Sequence, residues 1–384
     1  MRLMSAGVCL ALGTARLAGQ TAPPARDYLV YVASESADRV ALVRFGPGGI
    51  RVEHERYVGA VPNEIAGPHG VTVSPDGKHY YVSTAHGMPF GYLQKYSTAT
   101  DSVEGNVALG SFPATVQVSP DGFYVYVANF NLHGDRVPSS ISVVGADDML
   151  EVTRIETCVM PHGSRLTGDG RKHYSTCMMD ELLVEIDTRT MAVSRHFVVA
   201  KGREAGVTGA PPKSAAAHDA HDMSGHGMQP PKPGDTGCQP TWAQPSADGR
   251  RIWVACNRSS DIVEIDGVSW TLIRRIPAGP GVYNLGLTRD GTRLIATNKR
   301  DQSVSVIELA SGKELARIAT TRKVVHGVAV SDDDRYAFIS IEGSGAQPGT
   351  VDVIDLRSLT RVSSIDVGAQ AGGIDFWRSE PPKR

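Results

Sequence analysis

Positive charge is not in excess in this sequence. The 39 Lys and Arg stand against 41 Asp and Glu, a formal net charge of −2 at pH 7. A nucleic-acid-binding chain carries a basic footprint, so that class is excluded. Past the N-terminus no stretch approaches the roughly 18 apolar residues of a membrane span, so none is expected. Familiar catalytic motifs are missing too. There is no Gly-x-Ser-x-Gly elbow, no phosphate-cradling Gly-Lys-Ser/Thr and no His-Glu-x-x-His. The absence of Cys-x-x-Cys-His removes covalent haem attachment. Neither a haem nor a nucleotide cofactor is therefore expected.

What is present is repetition. Seven times an apolar run, a Gly-Asp-type turn and a second apolar run recur, about 40–50 residues apart. The clearest copies are His69-Gly-Val-Thr-Val-Ser-Pro-Asp-Gly77 with Tyr80-Tyr-Val-Ser-Thr84, and Ala114-Thr-Val-Gln-Val-Ser-Pro-Asp-Gly122 with Val125-Tyr-Val-Ala-Asn129. A period of this length with four short strands per unit is that of a β-propeller blade. The 41 glycines and 23 prolines supply the turns that so many short strands require. The fold class is thus all-β, a seven-bladed propeller spanning residues 28–377.

Residues 28–58 hold three strands of blade 1 with no inner strand before them. Ala371-Gly-Gly-Ile-Asp-Phe-Trp377 supplies it from the other end of the chain. Such closure leaves no open ring edge. Asp187, Asp266 and Asp355 each end an apolar strand, where Asp bonds the backbone of the next turn, so a structural role is expected. Arg2, an apolar stretch from Leu3 to Leu12 and small residues beyond it form a short secretory signal over residues 1–22. Cleavage is expected near Ala18 or Ala22. Cys9 would then be lost and the protein would be periplasmic or secreted.

Ser119-Pro-Asp-Gly122, Tyr126-Val-Ala-Asn129, Trp253-Val-Ala-Cys-Asn257 and Val263-Glu-Ile-Asp266 resemble the YVTN family of seven-bladed propeller repeats. The resemblance covers essentially all of 28–377. In fold that family is similar to the d1-haem domain of nitrite reductases, the N-terminal propeller of nitrous oxide reductase and propeller lactonases. These relatives differ in chemistry, and this chain lacks the paired His-x-His runs of a multinuclear copper site. No catalytic residue carries over from them.

Three constellations could carry chemistry. The first is an insertion between blades 4 and 5, residues 201–237, too long for an ordinary link. It holds His218, His221, His226, Met223 and Met228 within eleven residues, and imidazole with thioether suits copper. The alternative is a polar insertion without a role.

The second is His69, His162 and His326. The first two lie eight residues before a hairpin Gly, and the third eight before Asp334, which stands in the Gly position. Inner strands line the central channel, so three imidazoles from blades 2, 4 and 7 could converge at one mouth around copper or zinc with an open position. Thr241, Tyr283, Ala114 and Ala371 are expected at the matching places of blades 5, 6, 3 and 1. Each of the three is followed by Gly, which equally fits a tight strand entry.

The third is cysteine. Cys177 and Cys256 end second strands, while Cys158 and Cys238 lie just ahead of inner strands. Two intra-blade disulfides, Cys158–Cys177 and Cys238–Cys256, are the simplest reading in an exported protein. Alternatively the cysteines stay thiolates and join Met160, Met178, Met179 and His162 in a copper-like set. The leading functional expectation is an exported, monomeric binding scaffold, metal-associated at one mouth, whose partner is a protein or small molecule. The alternative is a metal-dependent oxidoreductase or lactonase-type hydrolase at the central channel. The inner-strand starts offer no repeated carboxylate for acid–base work, which favours binding.

Overall fold

A computed structural model describes residues 23–59, 64–86, 90–209 and 236–383. The candidate signal peptide and His218, His221, Met223, His226 and Met228 lie outside the described residues. Seven antiparallel sheets follow one another around a ring, six of four strands and one of five. The inner strands are Pro68–Val73, Pro113–Val118, Pro161–Leu166, Pro240–Pro245, Val282–Leu287, Val325–Val330 and Ala371–Glu380. The last belongs to blade 1 and pairs with Asp27–Ser34, so the ring closes as expected, with the seam running on to the Asp27↔Glu380 pair. Blade 4 gains a fifth strand, Ala205–Val207, on its outer edge. The insertion therefore begins by extending that blade.

Blades 2 to 7 are built from the same local chemistry. In the hairpin after the inner strand, Ser74 Oγ donates to Asp76 Oδ1 (2.6 Å) and Lys78 N donates to the same oxygen (3.0 Å). Ser119/Asp121, Thr167/Asp169, Ser246/Asp248, Thr288/Asp290 and Ser331/Asp333 repeat that clasp. The next residue takes a positive φ, and Asp334 (φ 56°) does so where blades 2 to 6 use Gly. Asp187, Asp266 and Asp355 accept backbone N–H bonds from their turns, the structural role expected.

The core lies between blades. Tyr28, Val30 and Val32 of blade 1 pack on Tyr336, Phe338 and Val353 of blade 7. Tyr31 of blade 1 stacks on Tyr80 of blade 2 at 4.4 Å. At the seam the buried Arg44 meets Asp27 (2.9 Å), Glu380 (2.8 Å) and Glu53. Burial opposes its charge, yet the carboxylates outweigh that and raise its pKa.

Both disulfides form. Cys158 sits in Glu151–Val159, the outer strand of blade 3. Its bond to Cys177 therefore staples blade 3 to blade 4, a correction to the intra-blade expectation. Cys238–Cys256 pins the re-entry of the chain into blade 5. Among the described residues no helix is long and apolar enough to cross a membrane.

Candidate functional site

One mouth of the ring is built from two residues per blade. The residue before each inner strand takes a positive φ: Gly67, Phe112, Met160, Gln239, Gly281, Val324 and Gln370. Its carbonyl accepts an N–H from the residue just past the second strand of the same blade: Ala85, Phe130, Met178, Asn257, Lys299, Glu342 and Glu35. This repeated clamp sets a ring of side chains directly above the first residues of the channel. The β-branched Val324 holds φ 64°, a conformation that L side chains of this shape rarely adopt.

The ring is two-sided. In blades 2–4, Ala85, Phe112, Ala114, Phe130, Met160 and Met178 form one buried apolar cluster, with Met179 packed against it. In blades 6, 7 and 1 the same layer carries Lys299, Glu342 and Glu35. The disulfide takes up both sulfurs of Cys158 and Cys177, so no thiolate is left there. The copper-like set with Met160, Met178 and Met179 is accordingly replaced by a disulfide beside an apolar wall.

His69, His162 and His326 come together where these two sides meet. The His69 ring lies 5.5 Å from that of His326 and 6.5 Å from that of His162, centroid to centroid. Tyr283 stands between the other two, 5.4 Å from His162 and 4.8 Å from His326. The matching place in blade 1 belongs to Gly372, one residue beyond the expected Ala371, because Ala371 pairs Ser34 as Pro68 pairs Thr84. The Gly after each His has a packing cause. A Cβ on Gly70 would lie 2.1 Å from Ala114 O, and one on Gly163 2.2 Å from Thr241 O.

Hydrogen bonds fix these rings. Glu35 Oε2 contacts His69 Nδ1 at 2.6 Å, and its other oxygen contacts His86 Nε2 at 2.7 Å. His162 Nδ1 donates to Thr241 O at 2.8 Å, which leaves Nε2 to accept from the Tyr283 hydroxyl at 3.0 Å. Lys299 Nζ is 2.8 Å from Glu342 Oε1 and lies over the Tyr283 ring at 4.3 Å. Glu342 Oε1 is also 3.8 Å from His326 Nε2. Glu35, His69, His162, Tyr283, Lys299, His326 and Glu342 are all less than one-tenth exposed.

The electrostatics follow. The bond from Glu35 raises the pKa of His86 against the burial that would lower it. Burial opposes the Lys299 charge, but Glu342, Tyr283 and Glu35 raise its pKa, so it stays an ammonium. Burial pushes Tyr283 up to about 12. One lysine and two glutamates thus share this buried layer with the histidines.

The inner-strand spacing marks the histidines, while Glu35, His86, Lys299 and Glu342 lie outside that pattern. Counting one residue past each second strand would have found the three charged groups. Among the described residues no three His, Cys, Asp or Glu side chains are already gathered as a metal site. The re-entry of the insertion lies on this same face. Lys201 N bonds Thr236 O (3.0 Å), and Glu181 accepts Cys238 N and Gln239 N.

Comparison with known proteins supports the architecture alone. No family model and no curated protein matches the chain. Among solved structures it is similar to the hydrazine synthase of Kuenenia stuttgartiensis, at 20% identity and a TM-score of 0.58, over 78% of this chain and 79% of that one. It is also similar to a functionally unknown protein from Desulfotomaculum acetoxidans, at 13% identity and a TM-score of 0.68, over 91% of this chain and 99% of that one. The fold these likenesses share with the chain is a seven-bladed β-propeller.

Proposed function

We propose that the chain is an exported binding protein of the YVTN type that takes a cation at the His-lined mouth, a transition-metal ion with copper ahead of zinc. One observation carries the reading: Glu35, Glu342 and three imidazoles from separate blades are buried around a single lysine. Buried carboxylates beside converging imidazoles form a donor set that a cation can share. Two further features support it. His69 and His162 each have Nδ1 tied to an oxygen, the outer-shell arrangement that orients an imidazole so that Nε2 can bind a metal. Imidazole donors suit Cu(II) and Zn(II), and disulfides belong to compartments where copper stays oxidised. Binding through His162 exchanges its Tyr283 hydrogen bond for the metal.

The test is elemental analysis of untagged protein exported into a copper- and zinc-supplemented periplasm. The full chain, a deletion of 214–228 and the H69A/H162A/H326A variant are compared. Near-stoichiometric copper that survives the deletion and is lost in the triple variant supports the mouth site. Copper lost with the deletion places capture in the insertion, and absence of metal from all three removes the reading.

A second reading rests on the carboxylates that the inner strands did not offer. Glu35 bonded to His69 forms an acid–base pair of the kind a hydrolase needs. Turnover of a lactone panel that is abolished by E35Q while metal content is unchanged would favour it.

A further inference from the structure

Below the histidines, the channel carries a positive charge with no carboxylate in contact. Arg165 lies on the inner strand of blade 4, three residues past His162. Nη1 donates to Ser164 O at 2.9 Å, and the guanidinium lies over the Trp242 ring at 4.4 Å. Among the described residues no carboxylate oxygen lies within 4.0 Å of it. A guanidinium has five N–H donors, so most of this one is left for something other than the protein. Burial draws its pKa down to about 10, which still leaves it charged at neutral pH.

Asp375, from blade 1, is the carboxylate that faces it electrostatically. It is occupied elsewhere. Its oxygens accept Val73 N (2.8 Å), Thr72 Oγ1 (3.1 Å) and Phe376 N (2.9 Å).

A cavity of about 30 Å³ adjoins Arg165, walled also by His69, His162, Trp242, Asn284 and His326. Two polar atoms on these walls, Trp242 Nε1 and Asn284 Oδ1, are buried with no hydrogen-bond partner among the described residues. A single water needs about 10–15 Å³ of such space, so the cavity takes two or three heavy atoms and no drug-sized ligand.

We propose that the channel is a binding site for a small planar carboxylate of formate size, held by the Arg165 guanidinium beside Trp242. The planar fork of Arg matches two carboxylate oxygens, which a point charge such as Lys does not. The size of the cavity sets the upper limit on the ligand. Arg165 is not one of the groups named for the cation, and because the cavity borders the same His69, His162 and His326 the two readings are tested apart.

The experiment titrates the full chain with sodium formate, and with sodium chloride at matched ionic strength, reading Tm and tryptophan fluorescence. Wild type, R165K and R165Q are compared after metal removal, so failure of the cation reading does not touch this one. The expected result is a saturable rise in Tm and a fluorescence change with formate but not chloride. The midpoint should move at least tenfold higher in R165K, and the response should vanish in R165Q. Equal responses to the two salts, no response, or an unchanged midpoint in R165K overturns the proposal. If R165Q does not fold, R165K decides alone.

Discussion

His173 shows how a residue can matter without belonging to a site. It is fully buried on the second strand of blade 4, stacked on Tyr126 at 5.1 Å. Neither ring nitrogen has a hydrogen-bond partner among the described residues. Burial, helped by Arg165, holds its pKa down at about 3. An unfolded chain takes up the proton near pH 6.5 and the folded one does not until about 3. The neutral ring therefore contributes its stability above about pH 6.5 and loses it as pH falls towards 3. From pH 7 to 5 the loss from this group is about 2 kcal/mol, at ~1.4 kcal/mol per pH unit. Urea denaturation at the two pH values should show it, and H173F should flatten the difference. At the mouth, E35Q should lower the His86 pKa, because the Glu35 bond is the main cause of its rise. An NMR titration of His86 that does not move would contradict that assignment.

At the scale of the element, the inner strand is shaped by what lies beside it. The His-Gly step was legible as a repeat, but its cause was not. The carbonyl of the neighbouring inner strand occupies the space of a Cβ, as Thr241 O does at Gly163. G163A should destabilise by about 1–3 kcal/mol, the usual range for overpacking. The denaturant midpoint reads this directly. The two disulfides close loops of 19 and 18 residues. Loops of that length confer about 3 kcal/mol each in the chain-entropy account. C158S/C177S should lose about that much in denaturant, with blades 3 and 4 the first to exchange amide protons. The cysteine positions are readable from the strand ends and starts at which they lie. That Cys158 belongs to blade 3 depended on where its outer strand ends, a boundary set by pairing with Pro138–Gly145.

The whole molecule is a ring, and the first and last strands close it at the seam. R44A would leave the buried Asp27 without its ion pair, while Glu53 keeps Arg51 and Glu380 keeps Arg378. Breaking a buried pair from one side costs about 3–5 kcal/mol. Loss of cooperativity in thermal unfolding is expected, with protease cleavage first at the two strands of the seam. A single sharp transition at the wild-type temperature would show that the apolar packing of blades 1 and 7 holds the ring by itself.

The sequence by itself determined the strands, the blade count and the closing strand, because hairpin clasps and strand alternation are local and act within a few residues. It marked His69, His162 and His326 for the same reason, since each stands at a fixed offset from its own turn. Only the tertiary structure decided what those histidines touch. Glu35 reaches His69 across 34 residues and Tyr283 reaches His162 across 121. Arg165 and Asp375 face each other only because seven twisted sheets close on one axis. Contacts of that kind are fixed by ring geometry and the competition for buried space, and no local pattern in the chain encodes them.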